Sequence, residues 1–146
     1  MKLIKEAYIY PNLRRVENDL GRFYIDSNGK EVPSVTTVLS ATSDKSGIDE
    51  WKRRVGHEEA TRIINESTAI GSNVHNALEN YLNGDDWKIQ DDGSYVSKTS
   101  ISILNCFIEN LINDISNIWG LEVGVILDGP YAGTADCVGI YNEKES

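Results

Sequence analysis

The sequence predicts an α+β fold, with strands toward both ends of the chain and helices between them, on three observations. Phe23-Tyr24-Ile25 followed by Asn28-Gly29 reads as a small amino-terminal β-hairpin. Apolar residues recur at helical spacing from Ile48 to Trp119. Two β-like segments then flank Asp128-Gly129-Pro130. At 146 residues, 40% hydrophobic and 25% charged, the chain suits one globular domain with one core.

In order, Pro33 stops the returning hairpin strand and Ser34 is placed to cap a helical segment from Val35 to Ser40. Residues 43–47 read as a loop. Ile48, Trp51, Val55, Ala60, Ile63 and Ile64 predict a helix over about 49–65, kinked at Gly56. His57-Glu58-Glu59-Ala60-Thr61 begins like a zinc-protease helix but has Thr61 where the second His must stand, so no zinc site is implied. A second helix, Thr68 to Leu82, carries Ile70, Val74, Ala77, Leu78, Tyr81 and Leu82 on one arc and ends at Asn83-Gly84. Ser97 to Trp119 reads as one long helix on Ile101, Leu104, Ile108, Leu111, Ile112, Ile115, Ile118 and Trp119, closed by Gly120. Strands Glu122–Leu127 and Tyr131–Tyr141 follow.

No apolar run reaches the roughly 18 residues of a membrane helix, and the amino terminus lacks the apolar core of a signal peptide. A soluble protein of the cytoplasm is expected, with no membrane partner. Cys106 and Cys137 are isolated, which argues against a disulfide framework or a CxxC metal site and is read as burial of two small hydrophobes. The net charge of −9 is uneven: residues 1–62 hold eleven Lys and Arg against ten Asp and Glu, residues 63–146 three against thirteen. The acidic half is either a solvated surface or includes carboxylates that collect divalent cations, which would invert the local field for a nucleic acid.

Two places carry chemistry. Asp136 lies inside the last strand, in Gly133-Thr134-Ala135-Asp136, where a solvated charge is out of place and a metal-ligand carboxylate is not. On the Thr68–Leu82 helix, Gly71, His75 and Glu79 share one edge at spacing four. They form either a boundary His paired with Glu79 or the lining of a cleft, Gly71 making room beside His75 for a close approach. Lys52, Arg53 and Arg54 are either phosphate contacts or a solvated helix face.

Taken in order, Pro33-Ser34-Val35-Thr36-Thr37-Val38-Leu39, Trp51, Gly71-Ser72-Asn73-Val74-His75-Asn76-Ala77-Leu78-Glu79, Glu122 and Tyr131-Ala132-Gly133-Thr134-Ala135-Asp136 resemble the front two thirds of a PD-(D/E)xK nuclease. The resemblance is to the RecB-like branch that includes phage exonucleases and the mitochondrial genome maintenance exonuclease, and it spans about residues 22–141. It implies an incomplete three-layer α/β/α restriction-endonuclease-like core, with antiparallel strands in a mixed sheet. It also implies hydrolysis of phosphodiester bonds in DNA, single-stranded or at ends, in a bacterial or phage-infected cell.

The roles implied are Asp136 and His75 as metal ligands, with Glu122 beside them in the catalytic set, and Gly71, Glu79, Gly133 and Thr134 in support. Ser34 and Thr36 join Lys52, Arg53 and Arg54 as candidate nucleic-acid contacts. Hard carboxylate oxygens suit Mg²⁺ or Mn²⁺, and an added imidazole leans toward Mn²⁺. Two unclustered cysteines exclude the iron–sulfur cluster of related branches.

The family continues with an Asp/Glu-x-Lys strand, and Asn142-Glu143-Lys144 does not supply it; this polar turn suits the hairpin leading to that strand. The expectation is therefore a nuclease fragment inactive alone, with self-association through the unpaired edge of the last strand. The alternatives are a catalytically dead nuclease-fold module that binds DNA or a protein, and an α/β domain with no nucleic-acid role.

Overall fold

The computed structural model describes residues 2–4, 8–127, 130–142 and 144–145. The fold is α+β. The chain divides into two compact units: a sheet unit of Met1–Asp44 with Ser116–Ser146, and a helical unit of Lys45–Ile115.

In the sheet unit, β2 (Arg14–Asn18), β3 (Gly21–Ile25) and β4 (Glu31–Pro33) form an antiparallel sheet in that order, and β1 is the short strand Lys2–Leu3. The predicted hairpin is β3–β4. Its turn is a longer loop in which the Asp26 carboxylate accepts from the Asn28 and Lys30 amides, both at 2.9 Å, and Gly29 takes φ +80. Strand β2 escapes the sequence reading because it is a charged edge strand: only Val16 of its five residues is half-buried, and Glu17 pairs with Arg15 and Arg22.

Helix α1 (Val35–Thr42) starts where Ser34 predicts and runs two residues past the predicted end. Its cap is also a clamp onto β3. Ser34 Oγ accepts from the Thr37 amide at 3.0 Å, the Arg22 amide donates to Thr37 Oγ1 at 2.9 Å, and that hydroxyl donates to the Arg22 carbonyl at 2.8 Å. Tyr24, Val32 and Ala132 form the buried cluster beside it, with Leu13 and Ile126 packed against them.

The second sheet of this unit has the order β1-β5-β6-β7, with β5 Ile115–Leu127, β6 Tyr131–Tyr141 and β7 Lys144–Glu145. It is mixed: β1 runs parallel to β5, and β7 antiparallel to β6. The long helix predicted to Trp119 is thereby corrected. In the helical unit, α4 (Tyr95–Asn110) ends at Leu111, a 3-10 turn covers Ile112–Asp114, and Ile115 opens β5. Ile115, Ile118 and Trp119 fall at helical spacing and at strand positions alike. Pairing of Asn117 and Ile118 with β1 decides for the strand and leaves Ile118 fully buried.

Residues Asp128 and Gly129 of the predicted turn, and Glu143 of the carboxyl-terminal one, lie outside the described residues. Asn142 has φ +47, and Tyr141 pairs antiparallel with Lys144 of β7. The strand expected to be an open edge has β7 beside Ile140 and Tyr141 and a parallel bridge from Ser34 at Ala132.

The predicted 49–65 and 68–82 helices become α2 (Ser46–Val55) and a continuous α3 (His57–Asn83). The kink at Gly56 is a full break, with φ +92 and ψ 148, a backbone conformation that glycine supplies. Gly84, at φ +81, ends α3: its amide donates to the Tyr81 carbonyl at 3.2 Å and the Asp85 amide to the Asn80 carbonyl at 2.8 Å. Helix α4 packs on α3 through Leu104, which is 1% exposed, and through polar contacts: Asn73 donates to Ser100 Oγ at 3.4 Å, and Ser100 to the Val96 carbonyl at 2.7 Å. Both cysteines are exposed, not buried as expected. Cys106 lies off the α4 stripe of Ser97, Ser100 and Leu104 that is covered, and Cys137 stands at an open position of β6.

Candidate metal centre

Each unit carries part of the candidate ligand set. In the sheet unit, Asp136 sits mid-strand on β6 and is exposed, and Glu122 sits on β5, the neighbouring strand, and is exposed too. Glu122 has φ +50, one of two described non-glycine residues with positive φ. A side chain in that conformation costs roughly 1–2 kcal/mol, so the surrounding strand contacts must hold it there. Beside it, Gly120 leaves space that an added Cβ would contest with Tyr10, whose hydroxyl donates to the Trp119 carbonyl at 3.3 Å.

Gly133 is a packing position. A Cβ there would lie 3.3 Å from Val35 Cγ2, so the glycine seats α1 against β6. Thr134 is exposed next to it. Although Cys137 is exposed, the protein around it partly desolvates the thiol, and this, then the charge of Asp136, pushes it above its ordinary value.

In the helical unit, His75 and Glu79 are half-buried on α3, and a ring nitrogen of one lies within 4.8 Å of a carboxylate oxygen of the other. This is the i,i+4 edge read from the sequence. Gly71, on the same edge, is exposed, and among the described residues an added Cβ would meet nothing within 4 Å beyond its own helical backbone, so none of them makes the close approach expected there.

The candidate nucleic-acid contacts separate. Lys52, Arg53 and Arg54 are exposed in the last turn of α2, where cations also complement the helix dipole. Thr36 is exposed. Ser34 is 2% exposed and its hydroxyl is taken up by the α1 cap, so its role is structural, which corrects its assignment as a contact.

Asp91-Asp92-Gly93-Ser94 reads as loop in the sequence, and the loop is there; the hydroxyl network within it is what sequence reasoning missed. Ser94 caps that helix, and Ser97 Oγ donates to Asp92 Oδ1 at 2.8 Å and to Asp91 Oδ1 at 3.2 Å. The hydroxyl and amide of Ser94, then the hydroxyl of Ser97, hold the Asp92 carboxyl down at about 2. Asp91-Asp92-Gly93-Ser94 is a turn signal, and Ser three residues after Ser94 was the available hint of a hydroxyl network.

Comparison of the chain with family models, with curated proteins and with solved structures finds no match. Among the described residues no helix is long and apolar enough to cross a membrane.

Proposed function

We propose that the chain is the metal- and DNA-binding part of a metal-dependent deoxyribonuclease of the PD-(D/E)xK, RecB-like exonuclease type. The observation that carries this reading is the pair of exposed carboxylates on adjacent strands, Asp136 on β6 and Glu122 on β5, the latter held in a left-handed backbone conformation. Strained non-glycine residues concentrate at ligand sites, where the geometry of a side chain matters more than the local cost. The donor chemistry of the proposed ligands suits a hard divalent cation: Asp136 and Glu122 offer carboxylate oxygens, and His75, with Glu79 beside it on α3, offers an imidazole. When bound, Mg²⁺ or Mn²⁺ supplies Lewis-acid polarisation of a phosphoryl oxygen and a more acidic water. Residues Lys52, Arg53, Arg54 and Thr36 are the proposed contacts to the DNA backbone.

A second reading is a nuclease-fold module that binds DNA or a protein without cleaving. Both readings share the cation site, so the deciding measurement is binding. Calorimetric titration with Mn²⁺ is expected to give a saturable site whose affinity falls about tenfold or more in Asp136→Ala and about tenfold in His75→Ala. Equal heats from wild type and Asp136→Ala would remove the metal centre. Single-stranded oligonucleotide binding that weakens steeply with salt and strengthens with Mn²⁺ is expected on either reading. Cleavage by wild type and not by Asp136→Ala would decide for the first reading and overturn the expectation that these residues are inactive alone.

A further inference from the structure

Asparagine followed by glycine is the pairing at which a peptide chain most readily attacks itself. The glycine amide nitrogen closes on the asparagine side-chain carbonyl, and no side chain on the glycine hinders its approach. The chain has two such pairs, Asn28-Gly29 and Asn83-Gly84, and Asp92-Gly93 offers the slower carboxyl version of the same reaction. All six residues are exposed, so access to solvent does not separate the three pairs. Their backbone hydrogen bonds do.

Asn28-Gly29 lies in the β3–β4 loop. Gly29 has φ +80, an added Cβ there would meet nothing within 4 Å beyond its chain neighbours, and its amide makes a 3.1 Å bond to the Asp26 carbonyl. The side-chain amide of Asn28 has no hydrogen-bond partner among the described residues. Asn83, by contrast, is the last residue of α3. The Gly84 amide donates to the Asn80 and Tyr81 carbonyls, and the Asp85 amide closes the cap on the Asn80 carbonyl at 2.8 Å. Ring closure there must turn Asn83 out of its helical conformation and break these bonds first. Asp92-Gly93 is blocked at both reacting groups. The Gly93 amide donates to Asp91 Oδ1 at 2.9 Å, and the Asp92 carboxyl, which must be protonated to leave as water, is held ionised by Ser94 and Ser97.

We propose that Asn28 is a site of spontaneous covalent modification, converted to aspartate and isoaspartate by attack of the Gly29 amide nitrogen, and that the isoaspartate form loosens the β3–β4 hairpin. In the first step the Gly29 nitrogen gives its proton to solvent base and bonds to Asn28 Cγ, and the side-chain nitrogen takes up a proton and leaves as ammonia. The product is a cyclic imide. Water then opens it at Cγ, giving aspartate, or at the main-chain carbonyl carbon, giving isoaspartate, in which the chain runs on through the side chain. Aspartate adds a second carboxylate to the turn that Asp26 organises by accepting from the Asn28 and Lys30 amides. Isoaspartate inserts a methylene into the main chain of the loop that sets Tyr24 opposite Val32, two residues of the buried cluster. The proposal goes beyond the metal- and DNA-binding reading and stands without it.

The test incubates the full chain at mildly alkaline pH, once folded and once in urea, and follows the three pairs by peptide mapping. Mass reports the lost amide, and resistance to an aspartate-specific protease reports isoaspartate. In the folded chain Asn28 should convert about tenfold or more faster than Asn83, as expected when one or two further backbone bonds must open before the ring closes, and Asp92 should not isomerise. In urea the two asparagines should convert at equal rates, because the sequence pair is the same and the bonds that separate them are gone. The isoaspartate form, isolated chromatographically, should melt at a lower temperature than the Asn28→Asp variant, which carries the same charge on an ordinary main chain. Equal rates at the two asparagines in the folded chain, Asn83 or Asp92 ahead of Asn28, no conversion of Asn28 while the chain is folded, or an isoaspartate form that melts with Asn28→Asp each overturn the proposal.

Discussion

In the sheet unit Asp136 and Glu122 are placed by backbone contacts between strands, whereas in the helical unit His75 and Glu79 are placed by the 3.6-residue period of one helix. The first kind of placement depends on what lies across the sheet and tolerates few changes far from the site. The second is local, and α3 would present the same edge with most of its other residues replaced. Glycines show the contrast most sharply. An added Cβ at Gly139 of β6 would collide with the Asn117 carbonyl oxygen and come within 3.1 Å of Ile118 Cα, while one at Gly71 of α3 would meet nothing within 4 Å.

The largest expected effect follows from that pair. Gly139→Ala must push β5 and β6 apart at a point where the obstacle is backbone, and should destabilise the protein by about 3 kcal/mol, at the upper end of overpacking costs. Gly71→Ala should instead stabilise by about 1 kcal/mol through helix propensity alone. Denaturant unfolding of both variants checks this; a Gly71→Ala loss of stability would show that this edge of α3 is approached after all.

Next in size is the clamp at α1. Removing the hydroxyl in Ser34→Ala strips the cap from the Thr37 amide and removes one partner of the half-buried Thr37 hydroxyl, for an expected cost of about 1–2 kcal/mol. Helix α3 has no side-chain cap at Gly56, so His57→Ala should change stability by less than about 0.5 kcal/mol. Thermal melts of the two variants measure the difference directly.

These elements also mark what was legible. Helix α1, the helical period of α3, an irregularity at Gly56 and the stop at Gly84 follow from capping residues, period and glycine position, because each is encoded within a few residues, whereas the continuity of α3 across residues 65–68 and the full break at Gly56 do not. The placement of His75 and Glu79 on one edge, and of Asp136 inside a strand, is legible too. The start of β5 was not legible: Ile115, Ile118 and Trp119 satisfy both periods, and the decision is made by β1, more than a hundred residues away. Exposure of Cys106 and Cys137 was missed for the same reason, since burial of a single small residue depends on the element across from it. Nothing in Leu121-Glu122-Val123 marks a left-handed residue either.

That left-handed residue gives the third prediction. Glycine relieves the backbone penalty at residue 122 and alanine does not, so Glu122→Gly should be up to about 1 kcal/mol more stable than Glu122→Ala, after allowing for the entropy of glycine in the unfolded chain. If Glu122 is held in this conformation for the cation, both variants should weaken Mn²⁺ binding alike. Equal stability of the two variants would mean that the strand relaxes when the carboxylate is removed.

The smallest effect tests whether side-chain hydroxyls in the helical unit do locally what strand contacts do in the sheet unit. Asp92 is fixed by Ser94 and Ser97, which bond to its ionised form and hold its carboxyl at about 2 against an ordinary 3.8. Because the folded value is the lower one, its contribution is present in full above about pH 4 and is lost as pH falls through about 2. A carboxylate NMR titration should therefore place Asp92 at about 2 in wild type and move it back toward 3.8 in Ser94→Ala, with a smaller return in Ser97→Ala. If the midpoint stays put in Ser94→Ala, the hydroxyls are not what holds this turn.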